Sequence, residues 1–273
     1  MNIIECLHTE SKCYKAAEAA RPVGIVVHST GANNPNLKRY VQPSKNDPKY
    51  SSLIQIIGKN TNGNSWNGSV SKSVHYIIGK KANGELGVAH ILPETYCAWG
   101  AGKGKKGSYN YNPTAHIQFE ICEDNLKNAT YFKECYDAAV ALCADICNRW
   151  GWEADVIVSH KEAHKKGYGS NHADIDHWLK KYKKTMNDFR EDVSKLLNQS
   201  KAIEIGDIVE FTATEHFYSA NSLVGKKCKP GRAKVLDIHN LGKSRHPYQV
   251  KAVSGSGSTV YGWVNETDIK AIK

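Results

Sequence analysis

Ile25-Val26-Val27-His28-Ser29-Thr30 and Val156-Ile157-Val158-Ser159-His160 are the two stretches on which the reading of this chain turns. Each is a short run of β-branched residues, the composition of a buried strand, and each delivers a histidine at its end. A donor at a strand end is held by its sheet rather than carried on a loose loop. The second run leads through a polar, glycine-bearing loop into Asn171-His172-Ala173-Asp174-Ile175-Asp176-His177-Trp178. Two imidazoles and a carboxylate meeting with a fourth position open would make a catalytic zinc site.

Outward from these runs, strands alternate with long helices. The segments at 74–79 and 87–91 flank Asn83-Gly84, the preferred pair for a tight turn, and predict a β-hairpin. Residues 116–122 alternate as a strand should. Residues 130–150 carry a wide apolar stripe at helical spacing, with Gly151 as the stop. A second helix is expected over 178–197. Residues 33–50, with three prolines, read as surface loop, and Gly102-Lys-Gly-Lys-Lys-Gly107 as a flexible cationic loop. The pattern predicts an α/β fold with a mixed, partly parallel central sheet flanked by helices.

The character changes near Asn198-Gln-Ser-Lys201. Short β-rich runs follow at 207–213, 233–238, 248–253 and 260–264, spaced by turn residues as in a small all-β barrel. The closing Gly262-Trp263 pair before a last short strand resembles bacterial SH3-like domains. The expected organisation is one domain over 1–198, a linker at 199–203 and an SH3-like domain over 204–273.

The chain has 273 residues, 40% hydrophobic and 23% charged, ordinary values for a globular protein with a sizeable core. No apolar stretch approaches the roughly 20 residues of a membrane helix, so no membrane span is expected. The start, Met1-Asn-Ile-Ile-Glu-Cys-Leu-His8, lacks the basic and apolar regions of a secretory signal. Eight cysteines without a Cys-x2-Cys pair read as free thiols of a reducing compartment. The formal charge of +10 favours polyanions, among them anionic cell wall. Residues 201–273 hold 11 Lys/Arg against 7 Asp/Glu, a net +4, leaving +6 for the rest. Without zinc-finger spacing or an RNA-binding aromatic signature, nucleic acid is not the expected partner. Nothing in the sequence sets an oligomeric state.

The residues that carry chemistry are His28, Glu120, His160, His172 and Asp174, and each has a plainer reading. A strand-end histidine is commonly a hydrogen-bonded structural residue, and Glu120 could simply be ion-paired. His164 follows His160 by four, but Lys161 breaks the His-Glu-x-x-His pattern. The joint order of blocks is more specific. Val26-Val27-His28-Ser29-Thr30, Val74-His75-Tyr76-Ile77-Ile78, Ala98-Trp99-Gly100-Ala101-Gly102, the segment from Asn112 to Glu120, Ser159-His160-Lys161-Glu162 and Asn171-His172-Ala173-Asp174 occur in sequence. Together, over about residues 20–190, they resemble the zinc-dependent N-acetylmuramoyl-L-alanine amidases of the amidase-2 type, relatives of peptidoglycan recognition proteins.

The resemblance implies that His28, His160 and Asp174 hold Zn2+, that Glu120 is the catalytic carboxylate, and that His172 is the oxyanion partner. Three departures stand out. His172 occupies the place of a family lysine, Gly100 that of a usual histidine, and Asp174 that of a frequent cysteine. The roles of His172 and Asp174 therefore remain open to exchange. Asn33, Asn34, His75, Trp99 and Lys103 are expected substrate contacts. The implied function is hydrolysis of the amide between N-acetylmuramic acid and L-alanine in bacterial peptidoglycan. With no signal peptide, the expectation is a phage or prophage endolysin, cytoplasmic until lysis and then acting on the wall. A host autolysin and a non-catalytic recognition module are the alternatives.

Overall fold

The computed structural model describes residues 2–61, 65–68, 70–200 and 203–272. The chain divides into two compact units, Met1–Leu197 and Asn198–Lys273. The expected linker at 199–203 falls partly on residues 201 and 202, which lie outside the described residues.

The first unit is built on six strands: β1 (Ile3–Glu5), β2 (Ile25–Ser29), β3 (Tyr76–Lys80), β4 (Leu86–His90), β5 (Ile117–Ile121) and β6 (Ile157–Ser159). Their order is β1-β4-β3-β5-β2-β6. Only β3 and β4 run antiparallel, as the Asn83-Gly84 hairpin requires, and every other neighbour is parallel. The sheet is thus mixed and partly parallel. Strand β2 is buried along its whole length, which explains its unbroken β-branched run.

Helix α3 (Ala129–Trp150) starts where the Asn128 side chain accepts from Tyr131 N and stops at left-handed Gly151. Its Phe132, Tyr136, Ala139, Cys143 and Ile146 pack with Ile25, Val27, Ile117, Phe119 and Ile121 from one face of the sheet. On the opposite face, Leu37, Val41, Leu53, Ile57, Ile77 and Ala89 form a second cluster. None of the eight cysteines is in a disulfide, and seven are buried.

Several expectations need correcting. The helix expected over 178–197 is two, α5 (Asp176–Lys181) and α6 (Met186–Ser200). Lys183 takes a left-handed φ of 56° between them. Thr185 and Asp188 then restart the helix by reciprocal capping, with Asp188 accepting from Thr185 N at 2.8 Å and Thr185 Oγ1 accepting from Asp188 N at 3.2 Å. The 33–50 loop contains a 3-10 turn at Leu37–Arg39 and leads into α2 (Tyr50–Ile57). Strand β1 and helix α1 (Lys12–Ala16) are short and carried no periodic signal. The 102–107 loop is tied down by Gly104 N to Gly107 O and Lys106 N to Gly167 O, both 2.8 Å. His160 ends no strand. It opens α4 (His160–Lys166), because Ser159 and Glu162 form a capping box directly after β6.

The second unit is a seven-stranded, wholly antiparallel sheet. Its strands are β7 (Ile208–Phe211), β8 (Glu215–Phe217), β9 (Gly225–Lys227), β10 (Gly231–Ile238), β11 (Tyr248–Ala252), β12 (Tyr261–Val264) and β13 (Ile269–Ala271). Val209, Phe211, Ala233, Val235, Tyr248, Val250 and Val264 alternate inward to make its core. Among the described residues no helix is long and apolar enough to cross a membrane.

Candidate metal centre and active site

Parallel neighbours in register point their side chains the same way. His28 on β2 pairs with Glu120 on β5, and Val26 with Gln118. The period of two therefore sends His28, Gln118 and Glu120 to one face, while Val27 and Phe119 enter the core on the other. His160 arrives from the start of α4, and Asp174 from the loop before α5.

These elements bring three donors together. His28 Nδ1 and His160 Nδ1 are 3.0 Å apart. Asp174 Oδ2 stands 3.3 Å from each. The two rings meet edge to face at 84°. Zinc bonds of about 2.0–2.2 Å in tetrahedral array put neighbouring donors roughly 3.3 Å apart, so the set fits zinc. Among the described residues it is the group of three or more His, Cys, Asp or Glu donors able to hold a metal ion. Between the open alternatives, Asp174 joins the histidines, and His172 stands beside them.

The surrounding hydrogen bonds orient the donors. Gln118 Nε2 donates to Asn110 Oδ1 at 3.0 Å. Its Oε1 is left to accept from His28 Nε2 at 3.2 Å. That bond keeps the proton on Nε2 and turns the Nδ1 lone pair to the centre. His160 Nε2 meets Ser170 Oγ at 3.2 Å. Burial lowers the His28 pKa, opposed by the facing Asp174 carboxylate. Burial works to raise the Asp174 carboxyl, but the two facing imidazoles, His160 and His28, outweigh it and hold the group well below its ordinary value.

Gly100 is explained by the same network. A Cβ there would lie 2.6 Å from Gln118 Oε1 and 2.9 Å from Val74 Cγ1. Gln118 supports His28, and no side chain fits at position 100 beside it.

Glu120 lies outside the donor set. Its Oε2 is sealed from solvent and has no hydrogen-bond partner. Burial, then the negative charge of Asp174, push its pKa well above the ordinary carboxyl value, with only Lys72 opposing. A sealed carboxyl oxygen without a partner beside a metal-capable cluster marks a candidate functional group.

His172 is exposed and lies over His160, with ring centroids 4.5 Å apart. Lys103 is exposed on the wall of a cavity of about 750 Å³ shared with Lys106, Tyr111 and Tyr168. Asn33 is exposed, whereas Asn34 is half-buried, its side chain accepting from Asn36 N at 3.1 Å. Trp99 is half-buried against Cys13, Leu92 and Ala98. His75 is brought to no surface. It is 1% exposed. Its Nε2 bonds Tyr96 O at 2.9 Å and its Nδ1 accepts from Gln118 N at 2.9 Å, so both nitrogens serve the backbone.

Gln118, Asn110 and Ser170 were not singled out from the sequence. Gln118 alone left a signal, as a polar residue on the inward alternation of a buried strand, two before Glu120.

Residues 18–176 match the family model described as N-acetylmuramoyl-L-alanine amidase. Among solved structures, the chain is similar to the Staphylococcus aureus hydrolase AmiA in complex with its ligand, at 16% identity over 72% of this chain and 83% of that one, with a TM-score of 0.48. The PlyG catalytic domain matches at 17% identity over 75% of this chain and 100% of that one, TM-score 0.46. A mutant endolysin from Bacillus subtilis matches at 18% over 71% and 99%, TM-score 0.45. No curated protein matches the chain.

Proposed function

Since the chain belongs to the N-acetylmuramoyl-L-alanine amidase family, we propose that it cuts the amide bond between N-acetylmuramic acid and L-alanine in peptidoglycan by a zinc-dependent route. The observation that carries this reading is the His28, His160 and Asp174 donor set beside the unpartnered Glu120 carboxyl. When bound, zinc supplies Lewis acidity that polarises the carbonyl and makes water acidic enough to attack near neutral pH.

The chain's own residues do the rest. Glu120 takes the proton of the attacking water and returns it to the leaving nitrogen. The new carbon–oxygen bond replaces the carbon–nitrogen bond, and the peptide departs as a free amine. His172 donates a hydrogen bond to the carbonyl oxygen as negative charge gathers there. Lys103 offers a cation to peptide carboxylates, and Asn33 and Trp99 are the further substrate contacts of this reading.

The second unit reads as an SH3-like wall-binding domain. Its antiparallel sheet, net charge of +4 and exposed Tyr218 and Tyr261 support that. An amidase paired with such an anchor fits a phage or prophage endolysin.

Digestion of purified walls should release new amino groups without new reducing sugars, and a chelator should abolish it. His28→Ala should lose zinc and activity together. A fully active His28→Ala protein would end the metal reading.

A further inference from the structure

We propose that the cavity walled by Lys103, Lys106 and Tyr168 is a subsite for a free carboxylate of the stem peptide, with Asn110 as its specificity-determining residue. The carboxylate meant is on the second residue of the stem, next to the L-alanine whose amide is cut. That residue carries either an α-carboxylate or its amide, and the subsite selects the carboxylate. This deepens the reading above and rests on its assignment of the substrate.

The cavity, about 750 Å³, has the size of a small-ligand pocket. Among the described residues no carboxylate lines it, and neither lysine is in an ion pair. Much of its polar lining is already bonded. Ser108 and Thr114 give their hydroxyl protons to Gly102 O and Ser108 O. Asn112 donates to Ala19 O and accepts from Arg21 N, both at 2.8 Å. The two ammoniums stay free, and so does one amide nitrogen. Asn110 is only 7% exposed, and its Oδ1 accepts from Ala101 N at 2.9 Å and from Gln118 Nε2 at 3.0 Å. A backbone N–H can only donate, so the amide orientation is fixed. Asn110 Nδ2 has no partner among the described residues and is not sealed from solvent, so it opens into the cavity. An amide donor without an acceptor, beside two cations, suits an anionic acceptor.

The same side chain ties the cavity to the metal centre. Gln118 links Asn110 to His28 through bonds of 3.0 and 3.2 Å. On the other flank Gly102 borders the cavity, and a Cβ there would lie 2.5 Å from Ser170 Oγ, which meets His160 Nε2 at 3.2 Å. An extended peptide advances roughly 3.5 Å per residue, so the near end of the stem, the second residue first, meets the cavity. The lysines are held ready for it. A Cβ at Gly104 would strike Gly167 O, and Tyr109 N donates to Tyr168 O at 2.9 Å, so the loop is seated against its neighbour. A loop seated in this way loses little freedom on binding.

Two stem tripeptides and the two matching muropeptides test this on the zinc-loaded full-length protein. Each pair differs only in α-carboxylate against α-amide at the second residue. Calorimetry should show the carboxylate tripeptide binding about tenfold more tightly, the scale of one charge-assisted hydrogen bond. Kinetics should show the same ratio in KM with kcat alike. Lys103→Gln combined with Lys106→Gln should abolish both differences. Asn110→Asp keeps one oxygen toward Ala101 N and Gln118 Nε2 and turns a second toward the cavity. With zinc stoichiometry confirmed, it should reverse the preference in favour of the amide, whereas a merely structural role would weaken both ligands alike. Equal binding of the two tripeptides by the wild type overturns the proposal, as does an Asn110→Asp protein with the wild-type preference. Selective binding of the carboxylate tripeptide with neither muropeptide cut would leave the subsite standing and sink the amidase reading instead.

Discussion

Glu120 and Gly100 show how single residues divide the work of this site. Glu120 stands apart from the three donors, so removing its charge should spare the metal. Glu120→Gln is expected to bind one zinc per chain and lose roughly 10²–10⁴-fold in kcat, the scale of a positioned general base. Loss of zinc in step with rate would make Glu120 a ligand instead. Gly100 acts by absence. Gly100→Ala forces a methyl to 2.6 Å from Gln118 Oε1, and the amide that orients His28 must move. Zinc affinity should weaken about 10–100-fold, the usual consequence of disturbing such a support. Competition against a chelator of known affinity measures it, and an unchanged affinity would free His28 from Gln118.

Elements of the first unit are joined by a half-buried carboxylate away from the site. Glu94, in the loop after β4, accepts from Arg149 at 2.7 and 2.8 Å, from Trp150 Nε1 at 2.8 Å and from Tyr76 hydroxyl at 2.7 Å. It so clamps β3 to the end of α3. Burial raises its pKa, but the bonds from Arg149, Trp150 and Tyr76 win and bring it down to about 2. A folded pKa below the unfolded one stabilises above the unfolded value of about 4.3 and loses that contribution as pH falls toward 2. Glu94→Gln should therefore cost on the order of 2 kcal/mol at pH 7, with the gap to wild type narrowing by pH 3. Urea midpoints at the two pH values check it, and a gap that widened in acid would refute the clamp.

Across the whole molecule, charge and aromatic exposure divide between two units. The second unit carries +4 of the +10 and exposes Tyr218 and Tyr261. Tethering an enzyme to its insoluble substrate raises effective concentration without any new catalytic contact. Residues 1–200 alone should keep turnover on soluble muropeptides and lose potency on intact cells, while residues 201–273 fused to a fluorescent protein should decorate those cells. A fusion that fails to bind, with a truncated enzyme as lytic as the full chain, would remove the anchor reading.

The sequence by itself determined the long periodic elements and the chemistry that shares their strands. The runs around His28, at 117–121 and at 129–150 declare themselves because a buried strand or a striped helix repeats its pattern over several residues. Short pieces such as β1, α1 and α2 lack that repetition and escaped. The break before α6 escaped as well, because the apolar stripe continues across it. Which of His172 and Asp174 turns toward the histidines was not in the sequence, because both sit on one loop whose path depends on α4, α5 and the Ala101 peptide. His75 likewise resembled a site residue until the sheet closed over both its nitrogens. Tertiary structure alone decided the supporting network of Gln118, Asn110 and Ser170, since a hydrogen bond between residues far apart in the chain leaves no periodic mark on either.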